Sequence, residues 1–325
     1  MIFKTSYREF KIVILMDREN KGGKLMNIPN DIHVIEIGPR DGLQNEKEFL
    51  KTENKISLIE NLVQSGFKEI EATSFVHPKW IPNLADAEEV ISAVHHLPAT
   101  FFALVPNEKG FERAINSKVD GFTFVLSATD SHSKKNLNRT TFDSIKEISG
   151  LVQSARNADL KYRASVSTVF GCPFEGNPGY HRIRDITEQL VKIGFKRIGF
   201  CDTIGIANPL QVNKWMSSLI AEFSDIEFEL HLHDTYGRGL SNVIAGIQAG
   251  VYSYDSSIGG LGGCPYAPGA TGNISTEDLI SMLHEMDVQT NIDQNKLLKT
   301  SDLLYGFLKR DLDSKIWKVE MANCK

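Results

Sequence analysis

The chain has 325 residues, enough for one large α/β domain or two average ones, and its 36 Lys plus Arg against 41 Asp plus Glu leave a net charge of −5. That balance excludes a global basic field for nucleic acid, although a few local Arg and Lys can still hold a small anion. Its four cysteines (Cys172, Cys201, Cys264 and Cys324) include no CxxC pair, which argues against a disulfide framework or a structural zinc site and for a reducing compartment. Residues 1–27 are rich in Lys, Arg, Asn and Gly, with one apolar run, Phe10 to Met16, too short and too closely flanked by charge for a signal core or a membrane span. They are expected to form a poorly packed extension, with Met16 or Met26 as alternative starts, on a cytoplasmic protein. From Asp31 onward, short runs rich in β-branched and aromatic residues predict strands at 32–37, 68–74, 100–105, 121–127, 162–169, 196–202, 227–233 and 252–258. Between them, helical spacing appears in Glu53–Ser65, Phe142–Asp159, Pro209–Phe223 and Ser241–Ala249.

Eight βα units without a shift in composition predict an α/β fold, a (β/α)8 TIM barrel over 28–292, in preference to a doubly wound open sheet. Strand six runs into CDTIG and strand seven into HDTYG, a faint internal echo that suits a quasi-repeated barrel. Ser275 reads as the N-cap of a further helix, with Asp278 three residues on. The segment 293–325 is expected to be a C-terminal helical extension packed outside the barrel.

The sharpest chemical signal is ELHLHD, because alternate residues of a strand point the same way and would bring His231 and His233 to one side at the barrel mouth. Two metal ligands or two hydrogen-bonded core histidines would equally give this spacing. In GPRDGLQNE, directly after the first strand, Arg40 can hold a carbonyl or carboxylate and Asp41 can ligate a cation; a surface turn with an ion pair is the plainer account. Glu36 points out of that strand and can orient its neighbours. Glu71, near the end of strand two, is placed for an inward carboxylate to bond Arg40. After strand eight, the Gly-rich stretch SSIGGLGGCPYAPGATGN carries Cys264 toward the mouth, where a thiol can act as acid, base or nucleophile. A dinucleotide loop fits it poorly, since Pro265 stands where a third glycine is needed. Asn273 closes the stretch as a neutral oxygen ligand or a simple helix-start residue. Together Asp41, His231, His233 and Asn273 offer two oxygen and two nitrogen ligands with two octahedral positions to spare, which favours Mg2+ or Mn2+; zinc with Cys264 as a ligand is the competing arrangement.

At these residues the chain resembles the 3-hydroxy-3-methylglutaryl-CoA lyase family of the DRE-TIM metallolyases. The resemblance runs from Ile32 to the helix after Asn273, through IEIGPRDGLQNEK, EATSFVHPKWIPNLADAEEV, SATDSHSKKNLNRT, VFGCPFEGNPG, DTIG, HLHDTYG and IGGLGGCPYAPGATGNISTEDL. It implies metal ligation by Asp41, His231, His233 and Asn273, substrate contact by Arg40 and catalysis involving Cys264. Glu71, Asp202, Gln44 and Asn136 match further active-site positions. The implied activity is metal-dependent cleavage of a β-hydroxy thioester, 3-hydroxy-3-methylglutaryl-CoA, to acetoacetate and acetyl-CoA; a related aldolase or acyl-CoA condensing enzyme is the alternative. His231, Asp41 or Asp202 would take the hydroxyl proton. Cys201 before Asp202 and His77 depart from the usual Gly and Ser. The resemblance also implies a homodimer and an acyl-CoA partner, for whose phosphates Lys47, Lys79, Lys134 and Lys135 are available, if they are not simply solvated. His33, His77, His95, His96, His132, His181 and His284 lack a ligand pattern and are expected as surface or capping groups.

Overall fold

The alternation of strand-forming and helix-forming segments closes into a barrel in the computed structural model, which describes residues 28–47, 49–263 and 272–323. Eight parallel strands pair in sequence order, β1 returning to β8. They are β1 (His33–Glu36), β2 (Glu69–Ser74), β3 (Thr100–Val105), β4 (Gly121–Ser127), β5 (Lys161–Ser167), β6 (Arg197–Cys201), β7 (Glu227–His231) and β8 (Ser253–Ser256). Around them run α1 (Thr52–Gln64), α2 (Ala87–Val94), α3 (Glu108–Ile115), α4 (Asp130–Leu137), α5 (Thr141–Asn157), α6 (Tyr180–Ile193), α7 (Pro209–Glu222), α8 (Gly239–Ala249), α9 (Thr276–Glu285), α10 (Gln294–Leu308) and α11 (Lys315–Asn323).

Side-chain alternation sorts each strand into two faces. Phe122, Phe124 and Leu126 of β4, Ala164 and Val166 of β5, Ile198 and Phe200 of β6 and Phe228 and Leu230 of β7 point outward into the main apolar core beneath the helices. The intervening positions, Thr123, Arg163, Ser165, Glu229, His231 and Asp255 among them, are polar and turned inward. The barrel lumen is thus filled by a charged layer, where branched apolar side chains commonly fill such barrels. Buried charges survive there because they are paired, as Glu69 and Glu229 are with Arg197.

Helix starts follow their sequence signals. Thr140 and Asp143 form a reciprocal capping box at α5. Ser275 accepts from the Asp278 amide at the start of α9, and Asp293 caps α10, which packs on α1. The predicted strands overrun at their carboxyl ends: 162–169 closes at Ser167, 227–233 at His231 and 252–258 at Ser256. There the chain leaves the ladder to line the mouth. Among the described residues no helix is long and apolar enough to cross a membrane.

Candidate active site

At the carboxyl ends of the strands lies a cavity of about 410 Å3, with Arg40 and Asp41 after β1, Ser127 at the end of β4, Ser165 and Ser167 on β5, Cys201 on β6 and His231 and His233 at β7 in its wall. A larger cavity, about 590 Å3, lies between α8, α9 and α11 and contains none of these groups.

Arg40 and Asp41 reach the cavity because the chain leaves β1 in a tight π-helical turn, Gly38–Gly42, with Pro39 in its first turn. The turn packs so closely that a Cβ on Gly38 would stand 2.7 Å from Glu36 Oε1 and 2.8 Å from Ile258 Cγ2. Glu36 anchors it from behind, accepting from the Gly38 amide at 2.6 Å, the Ile258 amide at 2.9 Å and the Thr276 hydroxyl at 2.7 Å. Arg40 donates to the carboxylates of both Asp41 and Glu71. Glu71 lies under the floor, fully buried, and also receives the Thr123 hydroxyl.

One ligand atom each from Asp41, His231 and His233 lies within 4.8 Å of the others. His231 Nε2 is 3.2 Å from His233 Nε2 and 3.8 Å from Asp41 Oδ2. The register that places His231 beside Asp255 puts Nδ1 of the imidazole 3.0 Å from the Asp255 carboxylate. An Nδ1 proton donated there leaves the Nε2 lone pair facing the cluster. His233 stands just past β7 in an isolated bridge with Asn273, whose amide donates to Asp41 Oδ2 at 2.7 Å and to the Leu261 carbonyl at 2.9 Å. Gly262 (φ 106°) lets the chain pass over this amide, since a Cβ there would stand 2.4 Å from Asn273 Nδ2.

The electrostatics suit a cation. Burial alone would raise Asp41, but Arg40, His231 and the Asn273 hydrogen bond outweigh it and hold the carboxyl at about 2. Burial and the neighbouring His231 push His233 down to about 3, so the imidazole is neutral. His233 Nδ1 and Asn273 Oδ1 are buried without a hydrogen-bond partner among the described residues. His231, though buried, is shifted upward by the Asp255 hydrogen bond and by Asp41, so a cation bound there would displace its proton. An anionic oxygen and two imidazoles within one small cluster, with the unsatisfied Asn273 amide oxygen nearby, form a donor set for a divalent cation.

Other expected residues fall at different depths. Gln44 lines the cavity and donates to Asp41 at 3.3 Å, and Asn136 lines its far side. Asp202 lies behind the wall, fully buried, its two oxygens accepting from the Ile206 and Ala207 amides at 3.0 Å each. Burial raises its carboxyl to about 6, against those amides. Cys264 lies outside the described residues. Of the four lysines, Lys135 lines the cavity, with Nζ 3.9 Å from the centre of the Phe174 ring.

His132 is a correction. Expected on the surface or as a cap, it is 1% exposed and lines the cavity, with Nδ1 2.7 Å from Ser127 Oγ and Nε2 3.0 Å from the Asn136 amide nitrogen. Burial lowers it to about 4, so it is neutral. It sits three residues past the N-cap of α4, Thr129, and that first helical turn folds back over the end of β4.

The HMGL-like family model matches residues 31–304. The chain belongs to the HMGL-like family. It is 41% identical over 291 residues to the hydroxymethylglutaryl-CoA lyase YngG of Bacillus subtilis (strain 168), covering 89% of this chain and 97% of that one. Against the mitochondrial hydroxymethylglutaryl-CoA lyase of Macaca fascicularis it is 38% identical, covering 92% of this chain and 91% of the other. A solved HMG-CoA lyase of Acinetobacter baumannii, in complex with coenzyme A and 3-methylmalate, superposes with a TM-score of 0.85 at 39% identity, over 91% of this chain and 96% of that one. HMGL-like enzymes depend on a divalent metal, in keeping with the Asp41, His231 and His233 cluster.

Proposed function

We propose that this HMGL-like chain is a carbon–carbon lyase that cleaves 3-hydroxy-3-methylglutaryl-CoA to acetoacetate and acetyl-CoA. The observation that carries the reading is the Asp41, His231 and His233 cluster beside Arg40 at the mouth of the barrel, in a chain about as similar to hydroxymethylglutaryl-CoA lyases along nearly its whole length as those percentages allow.

Asp41, His231, His233 and Asn273 would hold the cation, and their oxygen and nitrogen donors suit Mg2+ or Mn2+. Bound there, it would supply positive charge that lowers the pKa of a tertiary hydroxyl. Asp41, kept ionised by Arg40, takes the hydroxyl proton. We assign that role to Asp41 because it lines the cavity, whereas Asp202 is fully buried behind the wall and the one nitrogen of His231 not facing Asp255 points into the metal cluster. The hydroxyl becomes a ketone as the bond to the α-carbon breaks, and the electron pair moves into a thioester enolate. Arg40, its guanidinium held by Glu71 and Asp41, faces the enolate oxygen and stabilises it most in the transition state. Cys264, by family resemblance, returns a proton to the α-carbon, which balances the one removed. Gln44 and Asn136 line the path of the acyl chain, and Lys135 at the rim meets a CoA phosphate. A homodimer and a cytoplasmic location complete the proposal; light scattering of the purified protein checks the first.

Purified protein incubated with Mg2+ and 3-hydroxy-3-methylglutaryl-CoA, beside an EDTA-treated sample and a Cys264→Ser variant, tests the reading. Equal release of acetoacetate and acetyl-CoA, abolished by EDTA and strongly reduced in the variant, is expected. No release from metal-loaded protein overturns it.

A further inference from the structure

Arg163 occupies the centre of β5 and sends its guanidinium into the lumen, where it is 2% exposed. Every nitrogen is engaged: Nη1 donates to Glu229 at 2.8 Å and to Asp255 at 3.0 Å, Nη2 to Glu71 at 2.8 Å, and Nε to the Thr123 hydroxyl at 3.0 Å. Two of these three carboxylates end on the active site. Glu71 also receives Arg40, and Asp255 also faces Nδ1 of His231. The third, Glu229, leads away to Arg197 at the other end of the barrel.

A buried cation among carboxylates is weak evidence for stability, because well-packed apolar side chains often do as well. What a guanidinium adds is direction: a rigid planar fork whose separate nitrogens fix several partners at once. Here the fork joins a donor that faces the substrate to an imidazole in the metal cluster. Thr123, which donates to Glu71 and receives Arg163 Nε, locks the first arm from its side.

We propose that Arg163 is the positioning residue of this site, setting the guanidinium plane of Arg40 through Glu71 and the tautomer and ring direction of His231 through Asp255. It touches neither substrate nor metal. The Arg40 arm rests on the lyase reading above, whereas the His231 arm rests on the metal cluster alone.

Arg163→Lys keeps the charge but replaces a fork with a single nitrogen, which cannot reach Glu71, Asp255 and Thr123 in their present places. Two quantities are read: Mn2+ affinity of the metal-free protein by calorimetry, without substrate, and kcat at saturating Mn2+. Arg163→Lys is expected to lower Mn2+ affinity by about 10–100-fold, the usual effect of disturbing a partner behind a ligand, and to lower kcat at least about tenfold. Asp255→Asn isolates the metal arm and should lower Mn2+ affinity to a similar degree. Glu71→Gln perturbs the other arm and should lower kcat by a larger factor than Mn2+ affinity, which it reaches only through Arg40 and Asp41. In double variants the Arg163→Lys loss should fall short of multiplying with that of Asp255→Asn in affinity and with that of Glu71→Gln in kcat. A merely structural ion pair would lower Tm and leave both readouts within about twofold, and that result overturns the proposal. If Arg163→Lys does not fold, the Glu71→Gln/Asp255→Asn pair decides: kcat losses more than about threefold short of their product support a shared hub, and losses that multiply refute it. Should the parent protein leave 3-hydroxy-3-methylglutaryl-CoA intact, the lyase reading fails while the affinity arm still stands or falls by calorimetry.

Discussion

Replacing Glu36 by Gln should flatten a specific part of the stability curve. Its carboxyl is fully buried behind the Gly38–Gly42 turn, and burial, only partly opposed by the Ile258, Thr276 and Gly38 hydrogen bonds, raises it from 4.5 to about 8. An acid whose folded pKa lies above its unfolded one keeps its proton in the native state over a range where the unfolded chain releases it. Stability from this group is therefore greatest below about pH 4.5 and declines as pH rises toward 8. At ~1.4 kcal/mol per pH unit, one such proton changes stability by about 2–3 kcal/mol between pH 5.5 and 7.5. Glutamine keeps the shape and a donor beside Thr276 but carries no titrating proton. Urea unfolding of metal-free protein at pH 5.5, 6.5 and 7.5 measures the difference between parent and variant. Other groups, Asp202 among them, titrate in both proteins and cancel. The stability of the parent relative to the variant should fall by about 2–3 kcal/mol over that range; a difference constant to within about 0.5 kcal/mol would show that Glu36 is ionised throughout and refute the reasoning.

Three further outcomes follow from the site. His233→Ala removes a ligand from the cluster, and Mn2+ affinity measured by calorimetry should drop by more than the ~10–100-fold typical of losing a group behind a ligand. Gly262→Ala places a methyl 2.4 Å from the Asn273 amide in a left-handed backbone conformation, so about 1–3 kcal/mol of strain in urea unfolding should accompany weaker Mn2+ binding; unchanged affinity would detach Asn273 from the metal. His132→Ala strips Ser127 and Asn136 of a shared partner and should reduce kcat/KM about tenfold, roughly one hydrogen bond, with Mn2+ affinity unaltered.

Much of this arrangement was legible in the chain. The His231 and His233 spacing placed both imidazoles on one face because strand side chains alternate, and His233 keeps that face even though it lies past the end of β7. Arg40 and Asp41 were found through the turn that follows β1. Arg163 and Asp255 were missed, being single charged letters inside strands that otherwise read as ordinary sheet. The signal was present in Arg163, Ser165 and Ser167 alternating with Ala164 and Val166: polar residues at every second position of a parallel strand, buried on both faces, must point into a lumen that satisfies them. His132 left no such trace, because its burial comes from α4 folding back over β4, a tertiary contact that local spacing does not encode. Asp202 follows its strand as the pattern required, yet its oxygens turn to the backbone of the next loop, a choice made by loop geometry beyond the reach of periodicity.

The central claim is that carbon–carbon cleavage depends on one cation held by Asp41, His231, His233 and Asn273. Mn2+ titrated into metal-free protein, with acetoacetate release from 3-hydroxy-3-methylglutaryl-CoA followed at each addition, tests it most directly. The account predicts no release at the start, a rise that levels off at one Mn2+ per chain, and no such rise in His233→Ala; full-rate release from metal-free protein would contradict it.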